Sequence, residues 1–414
     1  MQKFLGYRCS LCGAEYAPNQ VTYTCPADGG NLDVVLDYEA LKRGGMAGLL
    51  RADDRSLWRY LPLLPVDDPG GEGTPLRVAG GTPLYAPPAL AQAVGLSRLW
   101  VKDESRNPTA SFKDRASAVV VARAREIGAQ VVVTASTGNA GAALAGMAAA
   151  VGQRAVIFAP KSAPPAKIAQ LRVYGAQVLL VDGNYDAAFD LSIQAAEAFG
   201  WYCRNTGYNP FTAEGKKTAA FEIWEQVGPR LEDAPLSVFV SVGDGNIISG
   251  LHKGFKDLHA LGLLARMPRI FGVQSENSAA VANAFAAGSE DIQPVHATTL
   301  ADSISVDLPR DGVRAVRAAR ETGGAYLTVS DEAILQAIPA LGRAGIFAEP
   351  AGAAAWAGLC KAVRQGLIAP DEPVVVLNTG SGLKDVKSAM RAAGEAPVIE
   401  PTLEAVRRMV AGGR

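Results

Sequence analysis

The chain alternates short apolar runs with longer stretches of helical period. Val131–Thr134, Ala155–Phe158, Gln177–Val181, Trp201–Arg204, Ser237–Val242, Arg269–Val273, Ala325–Val329 and Pro373–Leu377 are runs of four to six residues and read as strands. Between them, Ala140–Ala150, Pro165–Tyr174, Asp186–Phe199 and Lys217–Val227 read as helices. Near-continuous apolar strands separated by helices predict parallel sheets covered on both faces, an α/β architecture. Residues 31–75 lack either pattern and predict an irregular segment, with Asp67-Asp68-Pro69-Gly70-Gly71-Glu72-Gly73 as a turn-rich linker. No short-period repeat or low-complexity tract interrupts this order.

Composition narrows the class. Lys and Arg number 40 against 41 Asp and Glu, a balance that disfavours a nucleic-acid partner. The longest apolar stretches, such as Ala142–Val151, are too short to predict a membrane span, and Met1–Gly6 does not open like a leader peptide. Five cysteines in 414 residues are no disulfide framework. A soluble cytoplasmic enzyme acting on a small molecule is the expectation.

Three of those cysteines fall within the first 25 residues. Cys9-Ser10-Leu11-Cys12-Gly13 is one knuckle; Cys25-Pro26-Ala27-Asp28-Gly29 has the shape of a second, with Asp28 in place of a fourth thiol. Cys9, Cys12, Cys25 and Asp28 can hold Zn²⁺ tetrahedrally, though Asp is the unusual fourth ligand. A ribbon that has lost its metal and persists by packing is the other reading.

Four further segments carry chemistry. Ser111 reads as an N-cap, which places Lys113 just inside a helix whose positive end discourages a protonated amine. Such a lysine can act as a nucleophile toward an aldehyde, although a lysine at a helix start is more often simply solvated. Ser136-Thr137-Gly138-Asn139 leads from a strand into a helix and suits a carboxylate. Gly243-Asp244-Gly245-Asn246-Ile247 does the same and suits a single terminal phosphate; Ile248 spoils the dinucleotide pattern. Thr379, at the end of a strand, offers a hydroxyl to a heterocyclic nitrogen. His252, His259 and His296 are scattered and suggest neither triad nor metal site.

A lysine, a carboxylate loop, a phosphate loop and a hydroxyl together match the needs of pyridoxal phosphate (PLP). In this order they resemble the fold-type II PLP enzymes, and within those the threonine synthase family. The resemblance runs from the Cys9/Cys12 knuckle through Gly73-Thr74-Pro75-Leu76 to Thr379-Gly380-Ser381-Gly382-Leu383-Lys384-Asp385. It implies a two-lobed α/β fold of the tryptophan synthase β type with a small zinc-ribbon-like module at the amino terminus. Residues 1–72 would form the module and linker. Residues 73–115 and 205–414 would form a large PLP-binding domain, and 116–204 a small mobile one. It implies that Lys113 bonds the cofactor and later moves protons, and that Phe112 lies beside the cofactor. Asn139 would meet the phenolic oxygen, Gly243, Asp244, Gly245, Asn246 and Ile247 the cofactor phosphate, and Thr379 the ring nitrogen. Ser136, Thr137 and Gly138 would grip the substrate carboxylate. Glu349 resembles the family's acidic residue before a helix, with a structural role first. A homodimer is the family expectation.

Three departures fall on the substrate side. The family's N-P-x-R-x-E-G-Q-K-T stretch reads here Asn209-Pro210-Phe211-Thr212-Ala213-Glu214-Gly215-Lys216-Lys217-Thr218, so Thr212 replaces a phosphate-binding arginine and Lys216 a glutamine. Ser303–Gly312 replaces a G-N-P-x-S-type segment and introduces Arg310. Ser381 stands where many members have histidine. The expected activity is conversion of O-phospho-L-homoserine and water to L-threonine and phosphate, with Lys216 or Arg310 doing the arginine's work. The alternative is β-replacement or elimination on another phospho- or hydroxy-amino acid, as in cysteate synthase or a serine/threonine ammonia-lyase.

Overall fold

A computed structural model describes residues 4–231 and 234–412. Met1–Lys3, part of the amino-terminal stretch read above, lie outside them. Strands β1 (Phe4–Cys9), β2 (Glu15–Tyr16) and β3 (Leu32–Leu36) form an antiparallel ribbon in the order β2-β1-β3. Two short strands follow, β4 (Leu84–Tyr85) and β5 (Leu99–Asp103). Next, β6 (Val131–Ala135), β7 (Arg154–Pro160), β8 (Gln177–Val181) and β9 (Tyr202–Cys203) build a parallel sheet in the order β8-β7-β6-β9. Finally β10 (Ser237–Ser241), β11 (Arg269–Ser275), β12 (Tyr326–Val329) and β13 (Val374–Asn378) join β5 in parallel, and β4 closes the edge antiparallel, in the order β12-β11-β10-β13-β5-β4.

The helices are α1 (Tyr38–Arg43), α2 (Gly45–Leu49), α3 (Pro88–Val94), α4 (Lys113–Glu126), α5 (Asn139–Ala150), α6 (Pro165–Val173), α7 (Tyr185–Phe199) and α8 (Phe211–Val227), then α9 (Asn246–Ala260), α10 (Ala280–Ala286), α11 (Gly312–Glu321), α12 (Asp331–Arg343), α13 (Pro350–Arg364), α14 (Val386–Ala393) and α15 (Leu403–Gly412). None is long and apolar enough to cross a membrane.

The apolar runs are buried on both faces because each face meets helices. Val238, Val240, Val375 and Leu377 pack with Ile248, Leu251 and Phe255 of α9. The intervening Phe239, Val374 and Val376 point the other way, onto Trp356 and Leu359 of α13. The smaller sheet repeats the logic: Val132 and Ile157 face Met147 of α5, while Val131, Val133 and Phe158 face Phe189 of α7. Alternation within a continuous apolar run is what a doubly covered sheet requires.

Three helices approach closely enough to fix the site. A Cβ on Gly215 of α8 would lie 2.1 Å from Arg115 O of α4. A Cβ on Gly250 of α9 would lie 2.7 Å from Lys216 Cβ of α8, and one on Gly254 would lie 2.5 Å from Lys217 O. These glycines set α4, α8 and α9 almost backbone to backbone, which brings the starts of α4 and α9 to one place.

The structure corrects three expectations. Residues 31–75 are not irregular throughout: Leu32, Val34 and Leu36 alternate inward as β3, and α1 and α2 follow. Lys102, in β5, is buried, and its Nζ donates to Thr82 O at 2.6 Å, Glu222 Oε2 at 2.6 Å and Gln226 Oε1 at 2.9 Å. Ser111 does not cap α4. Phe112 holds the cap position without a side-chain bond, and Ser111 Oγ is buried and unpartnered. Helix α8 starts at Phe211, six residues before Lys217, because Asn209 Oδ1 accepts from Phe211 N at 2.9 Å and Pro210 is preset for a helix start.

Candidate active site

A cavity of about 550 Å³ opens where the carboxyl ends of strands from both parallel sheets converge. Ligands bind at that position in open α/β sheets. The wall includes Lys113, Ser136, Thr137, Gly138, Asn139, Lys216, Gly243, Asp244, Gly245, Asn246, Ile247, Arg310 and Thr379. The structure therefore brings together residues from six separate segments of the chain.

Lys113 opens α4. Burial lowers the pKa of its amine, Glu349 and Asp244 oppose the shift, and Arg204 adds to it. A lysine held toward neutrality is prepared to attack an aldehyde. Phe112 N donates to Thr379 O at 2.9 Å, which locks the start of α4 to the end of β13. The Phe112 side chain is fully buried in the core, with the Arg115 guanidinium 5.7 Å from its ring centre, and does not line the cavity.

The phosphate loop fits its proposed ligand. Gly245 adopts φ +90°, and a Cβ there would lie 2.5 Å from Asp311 O. A Cβ on Gly243 would lie 2.9 Å from Ile304 Cα. Gly245 caps α9 without any side-chain bond, so backbone N–H groups at the positive helix end face the cavity uncapped. Asn246 Nδ2 donates to Asp311 Oδ2 at 2.7 Å, and Asn246 Oδ1 accepts from Lys216 Nζ at 2.6 Å. Lys216, read from sequence as a contact to substrate, thus stands against the phosphate loop. Burial carries its pKa well below the ordinary lysine value, with Arg204 and Lys113 adding to the shift.

The carboxylate loop follows β6. Gly138 N donates to Ser136 Oγ at 3.3 Å, and α5 begins at Asn139 with no side-chain cap. Asn139 Nδ2 donates to Glu349 Oε1 at 2.7 Å and to Ser303 Oγ at 3.3 Å. Glu349 is buried, and burial raises its pKa, with Lys113 opposing. A Cβ on Gly380 would lie 2.2 Å from Glu349 Oε1, so glycine is required beside that carboxyl. Ser381 is spent locally: its side chain accepts from Leu383 N at 3.3 Å.

Arg310 sits at the rim. Its Nη2 lies 3.1 Å from Asp186 Oδ1, and its guanidinium lies 4.8 Å from the centre of the Phe189 ring. Sequence reasoning missed Arg204, which follows β9, is fully buried and lines the same cavity. The only local signal was a charged residue at the carboxyl end of a short apolar strand.

The glycine cradle, the lowered lysine and the unpartnered Ser241 Oγ on the cavity wall fit PLP. Elsewhere, one ligand atom each from Cys9, Cys12, Cys25 and Asp28 lie within 4.8 Å of one another. Cys12 Sγ and Cys25 Sγ are 3.8 Å apart, and Cys9 Sγ is 3.4 Å from Asp28 Oδ1. Two thiolates about 2.3 Å from one tetrahedral zinc are separated by about 3.8 Å.

Comparison with known proteins agrees with this geometry. Residues 76–380 match the profile of the pyridoxal-phosphate dependent enzyme family. The chain is 39% identical to the threonine synthase of Methanocaldococcus jannaschii over 97% of its own length and 98% of that protein's. It is 38% identical to the threonine synthase of Methanosarcina acetivorans, over 98% of each. Among solved structures, it superposes on the processed form of threonine deaminase isoform 2 from Solanum lycopersicum with a TM-score of 0.65 at 24% identity, covering 75% of this chain and 82% of that one. Maize serine racemase gives 0.62 at 23% identity, covering 75% and 92%. The chain belongs to the pyridoxal-phosphate dependent enzymes and, within them, to the threonine synthase family.

Proposed function

We propose that this PLP-dependent lyase converts O-phospho-L-homoserine and water to L-threonine and phosphate. The observation that carries the reading is that the cavity offers two separate places for an anion. The uncapped start of α9 faces it, and Arg204, a buried guanidinium that stays charged, lines it as well, while Lys113 and Lys216 are held toward neutrality. A single phosphate needs only one of these places; a phosphorylated cofactor together with a phosphorylated substrate uses both.

PLP, when bound, supplies an electron sink for the charge left on the substrate's Cα. The remaining work falls to this chain. Lys113 would hold the cofactor, and its amine would take and return protons at the substrate. The amides of Gly243–Ile247, backed by Lys216 through Asn246, hold the cofactor phosphate. Ser136, Thr137 and Gly138 orient the substrate carboxylate at the start of α5. Thr379 would meet the ring nitrogen, and Asn139 the phenolic oxygen. Residues 73–115 and 205–414 act as the large lobe, 116–204 as the mobile lobe, and 1–72 as ribbon and linker. Asn139–Glu349, Lys167–Asp302 and Arg310–Asp186 bridge the lobes beside the cavity and support closure over substrate.

We further infer that Cys9, Cys12, Cys25 and Asp28 hold one zinc ion. Free thiols at all five cysteines suit a reducing cytoplasm. Exposed Leu383, Val386 and Met390 support a homodimer.

The test loads the protein with PLP and supplies O-phospho-L-homoserine, O-phospho-L-serine and L-serine. Equal amounts of threonine and phosphate from the first, abolished in Lys113→Ala, support the reading. Keto acid or β-replacement products from the serine compounds, with no threonine from O-phosphohomoserine, overturn it.

A further inference from the structure

We propose that Arg204 is the guanidinium that grips the phosphoryl group of the amino-acid substrate. This rests on the function proposed above and names a residue for the half of the site that the sequence left without an arginine.

The expected position is closed to that task. Thr212 Oγ1 donates to Asn209 O at 2.7 Å and lies 3.1 Å from Asn246 Oδ1, so the hydroxyl is spent within the first turn of α8. The two substitutes read from the sequence are also engaged. Lys216 Nζ is bonded to the phosphate loop through Asn246, and Arg310 is half-exposed and ion-paired with Asp186 at the rim.

Arg204 is in a different condition. It is fully buried, yet lines the cavity that holds Lys113 and Lys216. Its Nε donates to Ser117 Oγ at 3.2 Å and its Nη1 to Thr206 Oγ1 at 2.5 Å. Its Nη2 has no partner at all. Of the five N–H groups of a guanidinium, two are used and three remain. Among the described residues no carboxylate reaches it at ion-pair distance, and Asp244 and Asp114 act on its charge only through space. A buried guanidinium without a counter-ion is costly unless an anion arrives, and a planar fork with free N–H groups is the geometry that phosphoryl oxygens accept. Burial lowers its pKa to about 10, so it remains charged at neutral pH. The cofactor phosphate already has the α9 amides and Lys216. The unpaired charge of Arg204 is therefore left for the second phosphoryl group.

Ser117 and Thr206 aim this charge. Ser117 lies one helical turn after Lys113 on α4, so the anion site is indexed to the reactive amine through one rigid helix. The substrate's amino group at Lys113 and its phosphoryl group at Arg204 then fix the length of molecule that fits between them.

The test compares wild type, Arg204→Gln and Arg204→Lys as PLP-loaded proteins. Inorganic phosphate binding is measured by calorimetry and as inhibition, beside cofactor content. Arg204→Gln is expected to weaken phosphate binding and raise the KM for O-phospho-L-homoserine by about 100-fold. Cofactor stoichiometry and the binding of unphosphorylated L-serine should hold, and Arg204→Lys should recover part of the loss. Phosphate affinity unchanged in Arg204→Gln overturns the proposal. So does loss of cofactor with phosphate affinity unchanged in Arg204→Lys, which would assign Arg204 to the cofactor phosphate. Where Arg204→Gln does not fold, phenylglyoxal labelling of Arg204 in wild-type holoenzyme decides: inorganic phosphate should protect it, and absence of protection refutes the assignment. Because phosphate binding requires no turnover, an enzyme that binds phosphate through Arg204 but makes no threonine would sink only the proposed reaction.

Discussion

Asn139 Nδ2 donates to Glu349 Oε1 at 2.7 Å, joining the first residue of α5 to the residue that precedes α13. Beside the cavity, the bond joins a helix over the smaller sheet to one over the larger. It also places a carboxyl where it favours the charged form of Lys113.

Glu349→Gln should therefore lower the Lys113 pKa further. The amide keeps an oxygen for Asn139 but removes the charge that opposes desolvation of the ammonium. The measurement is the pH dependence of PLP capture by the apoprotein, followed in the visible. The midpoint should move to lower pH in the variant. A midpoint that stays or rises would show that Glu349 does not act on Lys113 electrostatically.

Arg314 should couple the ribbon to the phosphate loop. Its Nε and Nη2 donate to Asp311 Oδ1 and Oδ2 at 2.6 and 2.7 Å, and its Nη1 donates to Asp33 Oδ1 at 2.8 Å. Asp311 in turn accepts from Asn246, which accepts from Lys216. Arg314→Met leaves Asp311 buried without its cation, a loss of roughly 3–5 kcal/mol by the general behaviour of broken buried pairs. Urea unfolding should show that loss, and PLP should dissociate faster as Asn246 loses its anchor. Normal PLP retention in a destabilised variant would mean that the chain of bonds supports the fold but not the loop.

Little of that chain of bonds was legible in the sequence. The parallel α/β architecture was, because Val131–Val133, Val238–Val240 and Val374–Val376 are apolar without interruption and helices separate them. Lys113 and the two glycine-bearing loops were legible because each marks a strand-to-helix junction. Asp33, Asn246, Asp311 and Arg314 meet across hundreds of residues, and no spacing announces it. Arg204 follows a strand of two residues and carries no motif. The close approach of α8 to α4 through Gly215 was hidden too, since one glycine in a helix has no periodic signature. Sequence pattern reports local period, whereas these features are pairings fixed by packing.

Asp114 should make stability fall as pH rises through the weakly acidic range. Its carboxyl is buried, which raises the pKa from 3.8 to about 6, although it accepts from Thr109 N at 2.6 Å. The sign follows from proton counting. Between pH 3.8 and about 6 the folded state keeps a proton that the unfolded state has released, so folding is favoured at the acid end and loses that advantage as pH climbs. A shift of this size corresponds to roughly 3 kcal/mol at most. Asp114→Asn should flatten this part of the stability curve in urea titrations between pH 4 and 7. An unchanged slope would refute the assignment.

Zinc removal should reach the active site. Asn31, at the end of the ribbon turn, donates its Nδ2 to Gly207 O and, at 3.1 Å, to Arg310 O. Gly207 lies three residues beyond Arg204, and Arg310 lies on the rim. Arg317 Nη1 also donates to Ser10 O, inside the first knuckle. The ribbon is thus bonded to two segments that shape the cavity, and a metal that orders Cys9–Asp28 orders them as well. The protein should carry one zinc per chain, and Cys12→Ser should release it without disturbing the core, because Cys12 is exposed. Chelation should lower the melting temperature and weaken phosphate binding together, since structural zinc binding contributes directly to folding. Metal analysis showing no zinc, with Cys12→Ser as stable as wild type, would establish the ribbon as a metal-free module. Its hold on Gly207 and Arg310 would then rest on packing and Asn31 alone.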